Sequence, residues 1–269
     1  MRPINETKEL RKIQLDILKH VDAFCKKNGI KYFLSGGSTI GAVRHHGYIP
    51  WDDDIDIMML REDYDHFISL YTQNDTSKYR LHYYKNDNSF TFPFVKIDDS
   101  DTVLIELVNN KVDNMGINID LFPIDVVPNK KSMQKRLYNV TSFIMAIMAL
   151  KDTVPSPDRS WYKNAVLYIS RILLHPVRMI TLVHILDKNA LRYCNLKSDY
   201  CGVVLWGYGM REINLRKNWD KAIMIPFEDM LAPVPEGYDN YLTCVYGDYM
   251  KLPPEDKRIS HHGFNAWWK

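Results

Sequence analysis

The run Trp51-Asp52-Asp53-Asp54-Ile55-Asp56-Ile57 sets four carboxylates beside apolar residues, and few folds accommodate that. Side chains alternate between the faces of a strand, so Asp52, Asp54 and Asp56 are expected on one face, with Ile55 and Ile57 on the other and Asp53 turned away from the acidic set. Like charges on one face repel, and an unpaired buried carboxylate costs several kcal/mol. A divalent cation or a cationic ligand relieves that cost, so the spacing predicts a metal site. The alternative is an exposed acidic turn leading into an ordinary edge strand, Ile55 to Leu60.

Upstream, the β-prone run Ile30 to Leu34 gives way to Ser35-Gly36-Gly37-Ser38 and then to Thr39-Ile40-Gly41-Ala42-Val43-Arg44. This order predicts a strand, a glycine turn and a short helix starting at Ser38 or Thr39. Glycines let backbone amides approach an anion, and a helix start adds unpaired N–H groups and a favourable dipole. By itself Gly-Gly-Ser is also a plain turn. Ahead of an Asp-x-Asp on a second strand, it pairs a phosphate cradle with metal carboxylates. Downstream, Met115 to Phe122 alternates, putting Asn118, Asp120 and Phe122 on one face and Ile117, Ile119 and Leu121 on the other. Asp120 is thus a candidate third carboxylate, its alternative role being to cap or turn the chain before Phe122-Pro123.

These segments resemble the nucleotidyltransferase superfamily, whose members set a Gly-Gly or Gly-Ser turn ahead of an Asp-x-Asp and add a third carboxylate from a later strand. Within it, Leu34 to Ser38 and Gly41 to Ile57 resemble the signature of the LicD family of phosphocholine transferases. Arg61-Glu62-Asp63-Tyr64, Phe67, Lys96 to Thr102, Ile119 to Asp125, Tyr246-Gly247-Asp248-Tyr249-Met250, Pro253 and His261-His262 follow in family order. The resemblance spans residues 30–127 and 231–262. It implies an α+β fold, a nucleotidyltransferase-like mixed sheet flanked by helices, with a helical insert. The expected division is a catalytic core over residues 1–130, an insert over 131–200, and a mixed C-terminal segment over 201–269 that completes the core and substrate site.

The resemblance implies metal-dependent transfer of phosphocholine from CDP-choline to a hydroxyl of a cell-surface glycan of the lipopolysaccharide, teichoic acid or capsule type. The alternatives are transfer of another phosphoalcohol from a CDP-alcohol, true nucleotidyl transfer, and a non-catalytic phosphoglycan-binding module. In such phosphoryl-type transfer Mg²⁺, or Mn²⁺ in its place, bridges phosphate oxygens and neutralises charge in the transition state. Asp54 and Asp56 are the expected metal ligands. Asp120 either completes the metal site or takes the proton of the attacking hydroxyl. Gly36, Gly37 and Ser38 are expected to hold phosphate, with Arg44 or Lys96 as a nearby positive charge. A surface salt bridge is the competing role for Arg44, and a strand-face ion pair for Lys96. The resemblance gives His261 and His262 a role toward substrate phosphate or the carboxylates, against the alternative of a loose tail.

At 269 residues and 46% apolar, the chain can bury a substantial core. Its 35 basic and 33 acidic residues nearly balance, so no nucleic-acid partner is expected and phosphate affinity must be local. Cys25, Cys194, Cys201 and Cys244 form no Cys-x-x-Cys pair, which predicts free thiols in a reducing compartment. The N-terminus turns charged quickly, unlike a signal peptide. The apolar stretches Val140 to Leu150 and Ala165 to Leu186 are too short or interrupted by Arg171, His175 and Arg178 to span a bilayer. A cytoplasmic protein is expected, with the inner face of the membrane as a possible station.

Apolar residues at helical spacing from Leu10 to Cys25, ended by Asn28-Gly29, predict a first helix. A second is expected from near Glu62, strands over Tyr79 to Tyr84, Phe92 to Ile97 and Val203 to Trp206, and a late helix over Tyr238 to Tyr246. Two long helical segments split by Asp152 to Asp158 are expected within 131–200. There Arg171, His175, Arg178, Lys188 and Arg192 form either a solvated basic face or a guide for an anionic acceptor or a membrane headgroup. Trp206, Tyr208, Trp219, Tyr246, Tyr249, Trp267 and Trp268 are candidates for the walls of a quaternary-ammonium box, the alternative being ordinary packing.

Overall fold

The computed structural model describes residues 1–74, 77–106, 115–153, 155, 159–259 and 264–269. The chain opens with β1 (Arg2–Ile4) and α1 (Thr7–Asn28), followed by β2 (Phe33–Leu34), α2 (Gly36–His45), β3 (Asp56–Leu60) and α3 (Arg61–Asn74). Next come β4 (Tyr79–His82), β5 (Val95–Asp99), β6 (Thr102–Glu106) and β7 (Asn118–Val127). Three helices fill the insert: α4 (Lys131–Asp152), α5 (Trp161–Leu173) and α6 (Met179–Ala190). The C-terminal third adds β8 (Tyr200–Gly202), β9 (Asn214–Leu215), β10 (Ala222–Phe227), β11 (Met230–Pro235), α7 (Tyr238–Tyr246) and β12 (Phe264–Trp268).

The main sheet has the order β2-β3-β7-β5-β4, with β8 and β9 continuing from the far end of β7. The β3–β7 pair is parallel and its neighbours are antiparallel, so the sheet is mixed. Side-chain parity splits the core. Ile57, Met59, Ile119 and Leu121 join the α1 and α3 residues in one apolar cluster, whereas Met58, Phe94, Phe122 and Ile124 join Ile40, Tyr241 and Leu242 in another on the opposite face. Helix α1 buries Leu10, Ile13, Ile17, Leu18 and Val21 as its periodicity requires, each such side chain contributing roughly 1.5–3 kcal/mol. It ends on Gly29, whose φ of 66° suits the left-handed cap and whose N–H reaches the Cys25 carbonyl.

Four features depart from the sequence reading. The second of the two helical segments expected in the insert is divided, into α5 and α6. Strand β3 begins at Asp56, so Asp52 and Asp54 precede the strand and strand parity does not govern them. Helix α2 begins at Gly36, two residues ahead of Ser38, with Ser35 as its N-cap. Val203 to Trp206 is not a strand; β8 stops at Gly202 and Trp206 takes a φ of 62°, which a strand does not accommodate. The hairpin β10–β11 and a second sheet of order β1-β12-β6, which joins the two ends of the chain, carry no local sequence signal.

Candidate active site

A single row of side chains crosses the sheet face that carries Met58 and Phe122. Asp56 on β3 is the register partner of Asp120 on β7, and Asp120 in turn of Lys96 on β5. Lys96 is buried, and its Nζ donates to Asp120 Oδ1 at 2.6 Å and to Asn118 Oδ1 at 3.2 Å. The ammonium also lies over the rings of Phe92, at 4.9 Å, and Phe94, at 5.5 Å. Lys96 therefore makes the strand-face ion pair that its parity allowed, and makes it with the acid row itself.

Burial, then the Asp54 charge, then the Asp120 charge push the Asp56 carboxyl well above the usual carboxylate range, and Lys96 pulls it back. Asp52 adds a smaller push. Carboxylates from 52, 54, 56 and 120 thus share one electrostatic environment although only Asp56 and Asp120 stand on strands. Asp53 turns the other way, lining a cleft with Leu10 and with residues of β1 and β12.

The glycine segment abuts this row. Ser38 Oγ accepts the Asp56 N–H at 2.9 Å, and the Ser35 N–H donates to the Asp56 carbonyl at 2.8 Å. Gly36, Gly37 and Ser38 form the first turn of α2, where helical geometry leaves N–H groups with no partner inside the helix. The Gly36 N–H donates to Tyr241 Oη at 3.1 Å. Gly36 has a φ of 47°, and a Cβ there would meet Tyr246 Oη at 2.9 Å; a Cβ on Gly37 would meet Asp52 Oδ2 at 3.1 Å. Glycine at both positions keeps the backbone open beside the acids.

Arg44 does not join this group. It sits at the C-terminal end of α2, donates to the Tyr249 carbonyl, and contacts His45 Nε2 at 2.9 Å. His261 and His262 lie outside the described residues. Among the described residues no set of three His, Cys, Asp or Glu side chains closes around one ion. That is compatible with Mg²⁺, which is held through one or two carboxylates together with substrate phosphates and water. Asp54 and Asp56 supply hard oxygen donors whose mutual repulsion a cation relieves.

The sequence reading missed what shapes the acidic turn. Arg11 on α1 donates to the carbonyls of Ile49 at 3.0 Å, Pro50 at 2.9 Å and Asp52, while Gln14 donates to the Asp53 carbonyl at 2.9 Å. Of the candidate aromatics, Trp206 packs against Phe94 at 5.8 Å, and Tyr208 meets Tyr246 edge-on at 5.2 Å. Trp219 is buried against Tyr241, Tyr249 bonds Asp239, and Trp267 and Trp268 belong to β12 in the second sheet. Trp206 touches the aromatics beneath Lys96, Tyr246 lies against Gly36 and meets Tyr208, and buried Trp219 reaches the glycine turn through Tyr241.

Fold and site together define a mixed α/β protein with a carboxylate row beside a glycine-led helix start. Residues 29–147 match the family described as LicD/FKTN/FKRP, nucleotidyltransferase domain. The chain is 30% identical over 262 residues, covering 95% of both proteins, to the lipopolysaccharide cholinephosphotransferase LicD of Haemophilus influenzae. A 45-residue stretch, 17% of the chain and 9% of the relative, is 42% identical to the human ribitol 5-phosphate transferase FKRP. An uncharacterized protein of Rickettsia typhi is 42% identical over 82 residues, 30% of this chain and 26% of that one. The chain belongs to the LicD family, and it is a transferase of that type.

Proposed function

We propose that the protein transfers phosphocholine from CDP-choline to a hydroxyl of a lipopolysaccharide-type glycan in a Mg²⁺-dependent reaction on a nucleotidyltransferase-like core. The observation that carries this reading is the Ser38 to Asp56 hydrogen bond, which couples the glycine-led helix start to the acid row. The end-to-end similarity to the Haemophilus enzyme supports the choice of alcohol and acceptor.

In this reading Gly37 and Ser38 turn first-turn N–H groups, and α2 its dipole, toward the donor diphosphate. Asp54 and Asp56 would hold the cation, which would supply charge neutralisation for the phosphoryl oxygens. Asp120 is kept in place by Lys96, while its Oδ2, which has no hydrogen bond among the described residues, takes the proton of the attacking hydroxyl. A new bond forms between that oxygen and the choline-bearing phosphorus, the bond from this phosphorus to the bridging oxygen breaks, and CMP leaves. Trp206, Tyr208 and Tyr246 offer ring faces to the trimethylammonium group. Arg44 has no part in this account, because its guanidinium secures the C-terminal segment. Free Cys25, Cys194, Cys201 and Cys244 support a reducing, cytoplasmic setting.

Phosphorus NMR of the protein with Mg²⁺, a lipopolysaccharide-derived oligosaccharide and a panel of CDP-alcohols tests the reading. CMP and a phosphocholine diester are expected from CDP-choline. CMP from CDP-ribitol alone would move the assignment to another phosphoalcohol, pyrophosphate released from CTP would make it a nucleotidyl transferase, and binding without turnover of any donor would make it a phosphoglycan-binding module.

A further inference from the structure

Helix α5 is turned inside out for a soluble protein. Only Leu167 of its residues is buried. Trp161 is 81% exposed, Ile172 75% and Leu173 71%, and Tyr162, Val166, Tyr168 and Ile169 are each more than half exposed. At 3.6 residues per turn these side chains fall within an arc of about 160°, with Lys163 beyond one edge and Arg171 and Asn164 beyond the other. An exposed apolar face of this breadth marks an interaction surface.

Its charge says what the surface meets. From Arg159 to Leu186 there is no Asp or Glu, while Arg159, Lys163, Arg171 and Arg178 are cationic, in a chain whose net charge is only +2. A stretch that carries cations and no acids beside exposed aliphatic and aromatic side chains complements an anionic lipid surface. Trp161, Tyr162 and Tyr168 are of the amphipathic kind that settles at headgroup level. The helix has 13 residues, roughly 20 Å, which is too short to cross a bilayer, and no helix among the described residues is long and apolar enough to do so.

We propose that α5 lies in the plane of an anionic phospholipid surface, with Trp161, Ile169, Ile172 and Leu173 in the acyl boundary and Lys163 and Arg178 at the headgroups. The inference goes beyond the transfer chemistry and does not depend on it. If the acceptor glycan is built on lipid, the same contact holds the enzyme where that acceptor is.

Flotation of the full chain with phosphatidylcholine vesicles, with and without phosphatidylglycerol, tests this directly. Partitioning into the anionic vesicles is expected to exceed that into neutral ones by at least about tenfold and to fall at high salt. Ile169→Glu and Ile172→Glu, both at solvent-facing positions, are expected to abolish flotation without shifting the thermal midpoint. Equal partitioning into both vesicle types, or unchanged flotation of these variants, would overturn the proposal. So would a lipid-free, concentration-dependent dimer in sedimentation velocity that Ile172→Glu dissociates, because a second copy would then cover the face.

Discussion

Asp56 and Asp120 stand side by side as register partners across the parallel β3–β7 pair, and the Lys96 ammonium is held against the far side of Asp120. The parallel pairing is what makes this possible, because it brings two carboxylates sixty-odd positions apart in sequence to the same level of the sheet. Their repulsion is tolerated because one cation already sits at one end of the row and the other end opens toward the glycine turn.

Removing Lys96 should therefore cost stability as well as activity. In Lys96→Met, Asp120 beside Asp56 loses the ammonium it pairs with, and a loss of about 2–4 kcal/mol is expected in urea unfolding. The double variant Lys96→Met/Asp120→Asn should recover most of that loss while remaining inactive. Strictly additive effects, with a coupling below about 0.5 kcal/mol, would mean that the pair is not an energetic unit.

Gly36→Ala tests the close approach at the helix start. A left-handed φ costs an L-residue roughly 1–2 kcal/mol, and the added methyl meets Tyr246 Oη. Thermal unfolding should show a lowered midpoint that Tyr246→Phe in the same chain partly restores. A midpoint equal to wild type for Gly36→Ala alone would contradict the geometry.

A buried ion network fastens the insert to the core. Arg61 Nε and Nη2 clamp Asp125 at 2.7 and 3.0 Å, its Nη1 reaches Asp187 on α6 at 3.2 Å, and Tyr84 Oη donates to Asp187 at 2.6 Å. Arg61→Leu leaves both carboxylates buried without their guanidinium and should cost about 3–5 kcal/mol, with faster amide exchange in α6. A change of less than about 1 kcal/mol would show that the network does not hold the insert.

Glu212 sets a pH dependence of stability. It is buried, its Oε1 accepts the Tyr208 N–H at 3.1 Å, its Oε2 has no hydrogen-bond partner among the described residues, and burial pushes its carboxyl from 4.5 up to about 7. The folded state thus retains a proton that the unfolded state releases. The resulting stability is complete below pH 4.5 and is lost as pH rises through about 7, roughly 3 kcal/mol in all. Glu212→Gln should flatten that decline and raise the thermal midpoint at pH 8. A parallel pH profile for variant and wild type would assign the decline to other groups.

How much of this was written in the chain follows from what each residue depends on. The α1 periodicity and the alternation of β7 are local, so the first helix and the facing of Asp120 were legible. The shape of the Asp52 to Ile55 turn was not, because it is set by Arg11 and Gln14 from a distant helix, and in sequence Arg11 is indistinguishable from a solvated helical arginine. Val203 to Trp206 has strand composition, yet it lies between β8 and a turn at Gly209 with φ 67°, and tertiary packing of Trp206 on Phe94 overrides propensity. The union of β1, β12 and β6 is wholly non-local. Arg44 had the right spacing from the glycines but lies a full helix away, at the other end of α2.

The most direct test is the rate of CMP release from CDP-choline by Asp56→Asn, measured with saturating Mg²⁺ and acceptor alongside its thermal midpoint. The account predicts a fall of at least about a thousandfold with a midpoint equal to or above wild type, since the substitution removes a repelled carboxylate from the row. Turnover within tenfold of wild type in a folded variant would contradict it.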